Sequence, residues 1–161
     1  MREWTVAGAV IERSDRLLLV CNRRRNGRTD WSTPGGVIDE GETVLGGLAR
    51  EVAEETGIEV VGWSAALYEV DVLFGDLDMH MRAVVHAAES WRGEIEIADP
   101  DGIVVDADFV DPVRRDQYLA SSPAWVSAPL VGWLGSRPAA FEVYRYEVSG
   151  SDADSMVVHR M

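Results

Sequence analysis

The stretch GGVIDEGETVLGGLAREVAEETGI, from Gly35 to Ile58, crowds Glu42, Glu51, Glu54 and Glu55 into one short segment. Val44, Leu45, Leu48, Ala49 and Val52 recur at helical spacing, which predicts a helix from about Thr43 to Thr56 with Gly57 as its left-handed C-terminal cap. Gly46 and Gly47 oppose it, each costing about 1 kcal/mol relative to alanine in a helix interior, so the helix needs tertiary support. On that helix Glu51, Glu54 and Glu55 stand at i, i+3 and i+4 and share one patch beside the apolar stripe. Like charges at this spacing repel by about 0.2 to 0.5 kcal/mol per pair. Arg50 can pair with Glu54, which leaves two charges unmatched. Two environments suit such a patch: open solvent, or a divalent cation. Hard oxygen donors would favour magnesium or manganese over zinc.

The rest of the chain is also acidic. It has 161 residues, 47% of them apolar, and a formal net charge of −13. This length and composition suit one domain with a substantial core, and we expect it to span residues 1–161. The net charge opposes attraction to nucleic-acid polymers and to anionic membranes, so a polyanionic partner needs a local cation. Cys21 is the single cysteine, ends an apolar run and reads as a buried strand side chain in a reducing compartment. Glu12 and Asp15 come too early for a secretory apolar region, and QYLASSPAWVSAPLVGWLGS is broken by Pro123 and Pro129. The expectation is a cytoplasmic protein that does not enter a membrane. Its oligomeric state is open, with a homodimer among the options.

Two apolar runs, Trp4 to Ile11 and Leu17 to Cys21, flank Arg13-Ser14-Asp15 and predict a two-stranded hairpin. The loop NRRRNGRTDW then carries Arg23, Arg24, Arg25 and Arg28, the dense positive cluster of the chain, and ends at Pro34-Gly35-Gly36. Downstream, strands are predicted over Glu59 to Phe74 and Leu77 to Ala88 around a turn at Gly75-Asp76, and over Ile103 to Val110. Helices follow at Pro112 to Leu119 and around Trp125 to Leu134, then a hairpin of Phe141 to Val148 and Met156 to His159. Alternation puts His80 and His86 on the polar face of their strand, exposed or lining a substrate site, with no third ligand at metal spacing.

Gly36, five residues, Glu42, seven residues, then Arg50-Glu51-Val52-Ala53-Glu54-Glu55-Thr56-Gly57-Ile58 resembles the Nudix box of the Nudix hydrolases at every defined position. Seven fixed identities at roughly 7% usage each match by chance on the order of once in 10⁸ starts. The resemblance implies an α/β/α sandwich with a mixed β-sheet, in which the box forms a loop, a helix and a loop. The tail from about Ser136 is an elaboration outside it. It also implies hydrolysis of a nucleoside diphosphate linked to another group, with Mg²⁺ as cofactor and Mn²⁺ as a substitute. By the same resemblance Glu51, Glu54 and Glu55 hold the metal, joined by the backbone carbonyl of Gly36. Arg50 orients a box glutamate, Glu42 supports the loop, and Gly57 is structural.

Beside a magnesium site, the basic loop acquires a role in holding phosphates, and Arg23, Arg25 and Arg28 with Trp31 are the expected substrate-binding residues. Trp31 and Tyr68 suit either base stacking or core packing. A general base outside the box is sought among Glu89, Glu94, Glu96, Asp99 and Asp101, with Asp101 preferred because it immediately precedes a predicted strand. The proline or tyrosine that marks ADP-ribose and diadenosine polyphosphate members past the box is replaced by Leu73, Phe74 and Gly75, and an upstream coenzyme A motif is missing. A nucleoside triphosphate, oxidised ones included, is therefore the leading substrate class, with nucleotide sugars and ADP-ribose behind it. Two other classes stay open: a Nudix-like module that senses a nucleotide without cleaving it, and an acidic domain that binds calcium or a basic partner.

Overall fold

The apolar run from Leu17 to Cys21 is buried on both of its faces, and two cores form against it. Leu17 and Leu19 enter one cluster while Leu18 and Val20 enter the other, the alternation that a strand imposes. The computed structural model describes residues 1–161. The strands are β1 (Arg2–Val10), β2 (Glu12–Arg13), β3 (Arg16–Arg23), β4 (Thr29–Ser32), β5 (Gly35–Val37), β6 (Glu59–Phe74), β7 (Met79–Arg92), β8 (Val104–Val110), β9 (Glu142–Ser149) and β10 (Val157–Arg160). The helices are α1 (Val44–Thr56), α2 (Pro112–Leu119) and α3 (Ala124–Ser136), with a 3₁₀ turn at Gly75–Leu77.

A six-stranded mixed sheet runs in the order β10-β9-β6-β7-β1-β5, with β1 parallel to β7 and β6 parallel to β9. In a second sheet β3 is central, with β8 on one edge and the short β2 and β4 sharing the other. Leu48 and Val52 of α1 pack into the cluster that holds Leu18 and Val20, whereas Leu119 of α2 and Leu130 and Trp133 of α3 pack into the cluster that holds Leu17 and Leu19. Helices thus cover both sides, the α/β/α arrangement that the resemblance implies. The final hairpin extends the six-stranded sheet, with β9 seated beside β6.

One expected pairing is different. The strand from Trp4 does not fold back onto Leu17 to Cys21; it lies in the other sheet, in register with β7 from Arg2↔Met79 to Val10↔Ala87. Only Glu12 and Arg13 turn back on β3. The chain changes sheets at Ile11, whose carbonyl accepts from the Leu18 N–H at 2.8 Å. Val10 and Ile11 are both buried, one in each core cluster, so both sides of the crossing are satisfied by packing.

Helix α1 begins at the Thr43 cap, whose hydroxyl accepts from the Gly46 N–H at 3.0 Å. Its two interior glycines are there because the preceding loop lies against them: a Cβ on Gly47 would stand 2.8 Å from Ile38 Cδ1, and one on Gly46 would stand 2.7 Å from Thr43 Oγ1. At the other end Gly57 adopts φ +76°, and its N–H closes onto the Ala53 carbonyl at 2.9 Å. No helix is long and apolar enough to cross a membrane.

A Cβ at Gly57 would meet the Glu96 backbone at 2.8 and 2.9 Å as well as the left-handed backbone penalty. Gly57→Ala is expected to lower stability by about 1–3 kcal/mol, read from the urea midpoint of the purified variant.

Candidate active site

A cavity of about 890 Å³ opens beside the polar side of α1. Its acidic end is bordered by Gly35 and Gly36 of β5, by Glu51, Glu54 and Glu55 of α1, and by the segment Asp99-Pro100-Asp101. Its apolar end is made by Tyr68 and Val70 of β6, Met81, Ala83 and Val85 of β7, and Trp125, Val126 and Leu130 of α3. Asn22, Arg24, Asp30 and Ser32, joined by hydrogen bonds to one another, also line the cavity.

Arg50 organises the acidic end. Its guanidinium donates twice to Glu42, from Nε and Nη2 at 2.9 Å each, and reaches Asp39 at 3.3 Å. The remaining nitrogen, Nη1, spans Glu51 at 3.2 Å and Glu54 at 3.3 Å. The Glu42 contacts lie at the edge of the strong charge-assisted range, and the three to Asp39, Glu51 and Glu54 are longer. Glu42 is therefore the anchor, and the expected Arg50–Glu54 pair is the looser one. Held by Arg50 and by the Asp39 N–H, the Glu42 carboxyl falls to about 2. Asp39 had no signal in the sequence beyond its place three residues before Glu42.

Glu55 is the buried carboxyl of the three, 7% exposed, and accepts from the Gly35 N–H at 3.1 Å. Burial pushes it up to about 8, opposed by that hydrogen bond and aided by Glu51, Asp99 and Glu54. Glu51 is also raised, chiefly by burial, with Asp101 contributing. Gly36 lets the Glu51 carboxyl lie close against the backbone: a Cβ there would stand 2.7 Å from its carboxyl carbon and would push the side chain aside. Asp99 and Asp101 divide their roles: the Asp99 carboxylate accepts from the N–H groups of Asp101, Ile103 and Val104, while the Asp101 carboxylate has no partner in the protein and faces the same cavity as Glu51. Glu89, Glu94 and Glu96 lie outside the cavity, and Glu94 pairs with Arg13 at 3.6 Å.

Of the loop residues expected to bind substrate, Arg23, Arg25, Arg28 and Trp31 do not line the cavity; their neighbour Arg24 does. For Arg23 and Trp31 the reason is strand parity. Asn22 is paired with Asp30 and Val20 with Ser32, so their side chains share one face, and Cys21, Arg23 and Trp31 take the other. Trp31 packs on Tyr118 of α2 with ring centroids 4.8 Å apart. Arg24 is held by Asp30 through two bonds, of 2.6 and 2.8 Å, and Asn22 donates to Asp30 and Ser32. Of the two aromatic candidates it is Tyr68, buried, that borders the cavity. His80 and His86 alternate with Met81 and Val85 and so face away from it; His80 bonds Glu3 and Asp71.

A family model described as the NUDIX domain matches residues 1–122. The chain belongs to the Nudix hydrolase family. Its Nudix site is an enzyme site of the class that acts on pyrophosphate bonds in nucleoside diphosphate derivatives. A Mycobacterium tuberculosis protein with the provisional name 8-oxo-dGTP diphosphatase 2 is 33% identical over 135 residues, covering 71% of this chain and 90% of that one. A MutT-like protein of Streptomyces ambofaciens is 42% identical over 81 residues, half of this chain, and the chain spans less than half (46%) of that protein's length. Among solved structures, a NUDIX hydrolase from Nitrosomonas europaea shares the fold with a TM-score of 0.72 at 18% identity, over 84% of this chain and 90% of that one.

Nudix hydrolases generally work with divalent cations, and Glu51, Glu54 and Glu55 supply oxygen donors of the kind such cations take. The expected metal residues Glu51, Glu54, Glu55 and Gly36 border one cavity but do not form a closed coordination set, and no three acidic, histidine or cysteine side chains converge on one point. Arg50 holds Glu51 and Glu54 by its long contacts, and Glu55 is turned to Gly35.

The raised Glu55 carboxyl has a stability consequence. Its charged form is penalised in the fold, so its contribution becomes unfavourable as pH rises from the ordinary carboxyl range toward about 8. In chelator-treated protein, urea unfolding between pH 5 and 8 should show wild type losing on the order of a few kcal/mol relative to Glu55→Gln. Parallel pH profiles for the two would contradict the assignment.

Proposed function

We propose that the protein is a Mg²⁺-dependent pyrophosphohydrolase of nucleoside triphosphates, oxidised purine nucleotides included, converting the triphosphate and water to a nucleoside monophosphate and pyrophosphate. The observation that carries this reading is the polarity of the cavity. Carboxylates suited to a cation, apolar side chains suited to a base and the Arg24 guanidinium all line it. The volume fits one nucleotide. The name of the M. tuberculosis relative supports an oxidised guanine nucleotide as the first compound to try.

Glu51, Glu54 and Glu55, with the Gly36 carbonyl, would hold Mg²⁺; Mn²⁺ has the same preference for oxygen donors. The bound cation supplies positive charge opposite the phosphate oxygens and acidifies water. Arg50 keeps Glu51 and Glu54 at the cavity edge through its anchor on Glu42. Arg24, fixed by Asp30, meets a phosphate oxygen and offsets the negative field that would otherwise repel the substrate. Asp101, whose carboxylate is free of protein partners, takes the proton from the attacking water, and Asp99 holds the backbone that presents it.

The test is product release from dGTP, 8-oxo-dGTP, ADP-ribose and a nucleotide sugar, with and without Mg²⁺. Turnover should need the cation and favour a triphosphate. Glu54→Gln should lower kcat by about 10²-fold or more, and Asp101→Asn by about 10²–10⁴-fold with loss of the acid limb of the pH–rate profile. Full activity of Asp101→Asn would move the base elsewhere. Binding without turnover of any compound would make the protein a sensor.

A further inference from the structure

The stretch matched by the family model ends at residue 122, yet later residues supply one wall of the cavity. Trp125 and Leu130 come from α3, and Ala153 and Met156 from the turn between β9 and β10. Trp125 is set edge-on against Phe74, with centroids 5.3 Å apart, so its ring has a fixed position. The turn is also built rather than loose. Its Gly150 N–H donates to Asp76 at 2.6 Å, and the Asp152 carboxylate accepts from the N–H groups of Asp154 and Ser155, each at 3.0 Å.

From this turn Asp154 reaches across to Arg28, 2.8 Å away. Arg28 belongs to the same loop as Arg24, and the Arg24 N–H donates to the Arg28 carbonyl at 2.8 Å. The loop that brings Arg24 to the cavity is thereby tied to the turn that brings Ala153 to it. Both charged side chains are mostly exposed, 65% and 75%, so the pair adds little to packing and little to stability. A contact of that strength opens readily.

We infer that the β9–β10 turn, latched to the arginine loop by Arg28 and Asp154, closes the nucleoside end of the cavity, and that Met156 and Trp125 select the planar base admitted there. This rests on reading the cavity as a nucleoside triphosphate site. Arg28 then serves substrate binding through Asp154 rather than by touching phosphate. Closure limits the apolar end to a single nucleoside, which disfavours compounds that carry a second bulky group on that side.

The experiment measures kcat and KM for dGTP and dCTP, and Kd for the α,β-methylene analogue of dGTP by calorimetry, with near-UV circular dichroism as the folding control. Met156→Ala should raise KM and Kd for the guanine compounds about tenfold and shrink the dGTP/dCTP preference, with kcat within twofold. Arg28→Asp and Asp154→Arg should each raise KM up to about fivefold, an effect that fades in high salt, and the double charge swap should restore it. Unchanged KM and Kd in Met156→Ala, or single charge variants that the swap does not rescue, would overturn the inference while leaving the hydrolase reading intact. If wild type binds the analogue without turnover and Met156→Ala weakens that binding, the hydrolase reading fails and the wall stands. If wild type neither binds nor turns over, both fall.

Discussion

The bidentate contact between Arg50 and Glu42 is the constraint on which the site depends. Glu51, Glu54 and Glu55 repel one another on one helical patch, and a helix with two interior glycines has little intrinsic stability to resist that. Arg50 places one delocalised charge among Glu42, Asp39, Glu51 and Glu54, while Glu55 is removed into the interior against Gly35. The clamp also orders the loop before α1. Glu42 accepts from the Asp39 backbone, and the loop so formed packs Ile38 over Gly47, where a larger residue would not fit. Helix, loop and carboxylates are one device, and a lysine in place of Arg50 could not form its two-pronged bond.

The wider fold supplies the other half of the cavity. The face of the six-stranded sheet that carries Tyr68, Val70, Met81 and Val85 becomes the floor of the apolar end, and α3 stands beside it. Strand β3 is buried on both sides and contributes to both cores, and at its end Asn22 and, just beyond it, Arg24 reach the cavity lining. The carboxylates and the apolar lining thus come from different elements.

Much of this was legible in the sequence where the signal is local. The limits of α1 follow from Thr43, the apolar spacing and Gly57, and the strand pair around Gly75 follows from alternation and a turn. The pairing of β1 with β7 was not, because it joins residues far apart in sequence and no local pattern announces it. Among the arginines, cluster density pointed to the loop but not to Arg24 as the one that lines the cavity, since Arg24 lies past the end of β3 in a turn whose path no local pattern gives. The Asp39 contact with Arg50 and the Arg28–Asp154 contact escaped because both are tertiary.

In the proposed function the carboxylate crowding exists to hold a divalent cation against a phosphate chain. Titration of Mn²⁺ into the protein, followed by the electron paramagnetic resonance of the free ion, tests it without reference to turnover. Uptake should be saturable at pH 8 and tighten when a non-hydrolysable nucleoside triphosphate is present, with proton release as Glu55 gives up its hydrogen. Mn²⁺ that stays free at millimolar concentration, with and without nucleotide, would contradict it.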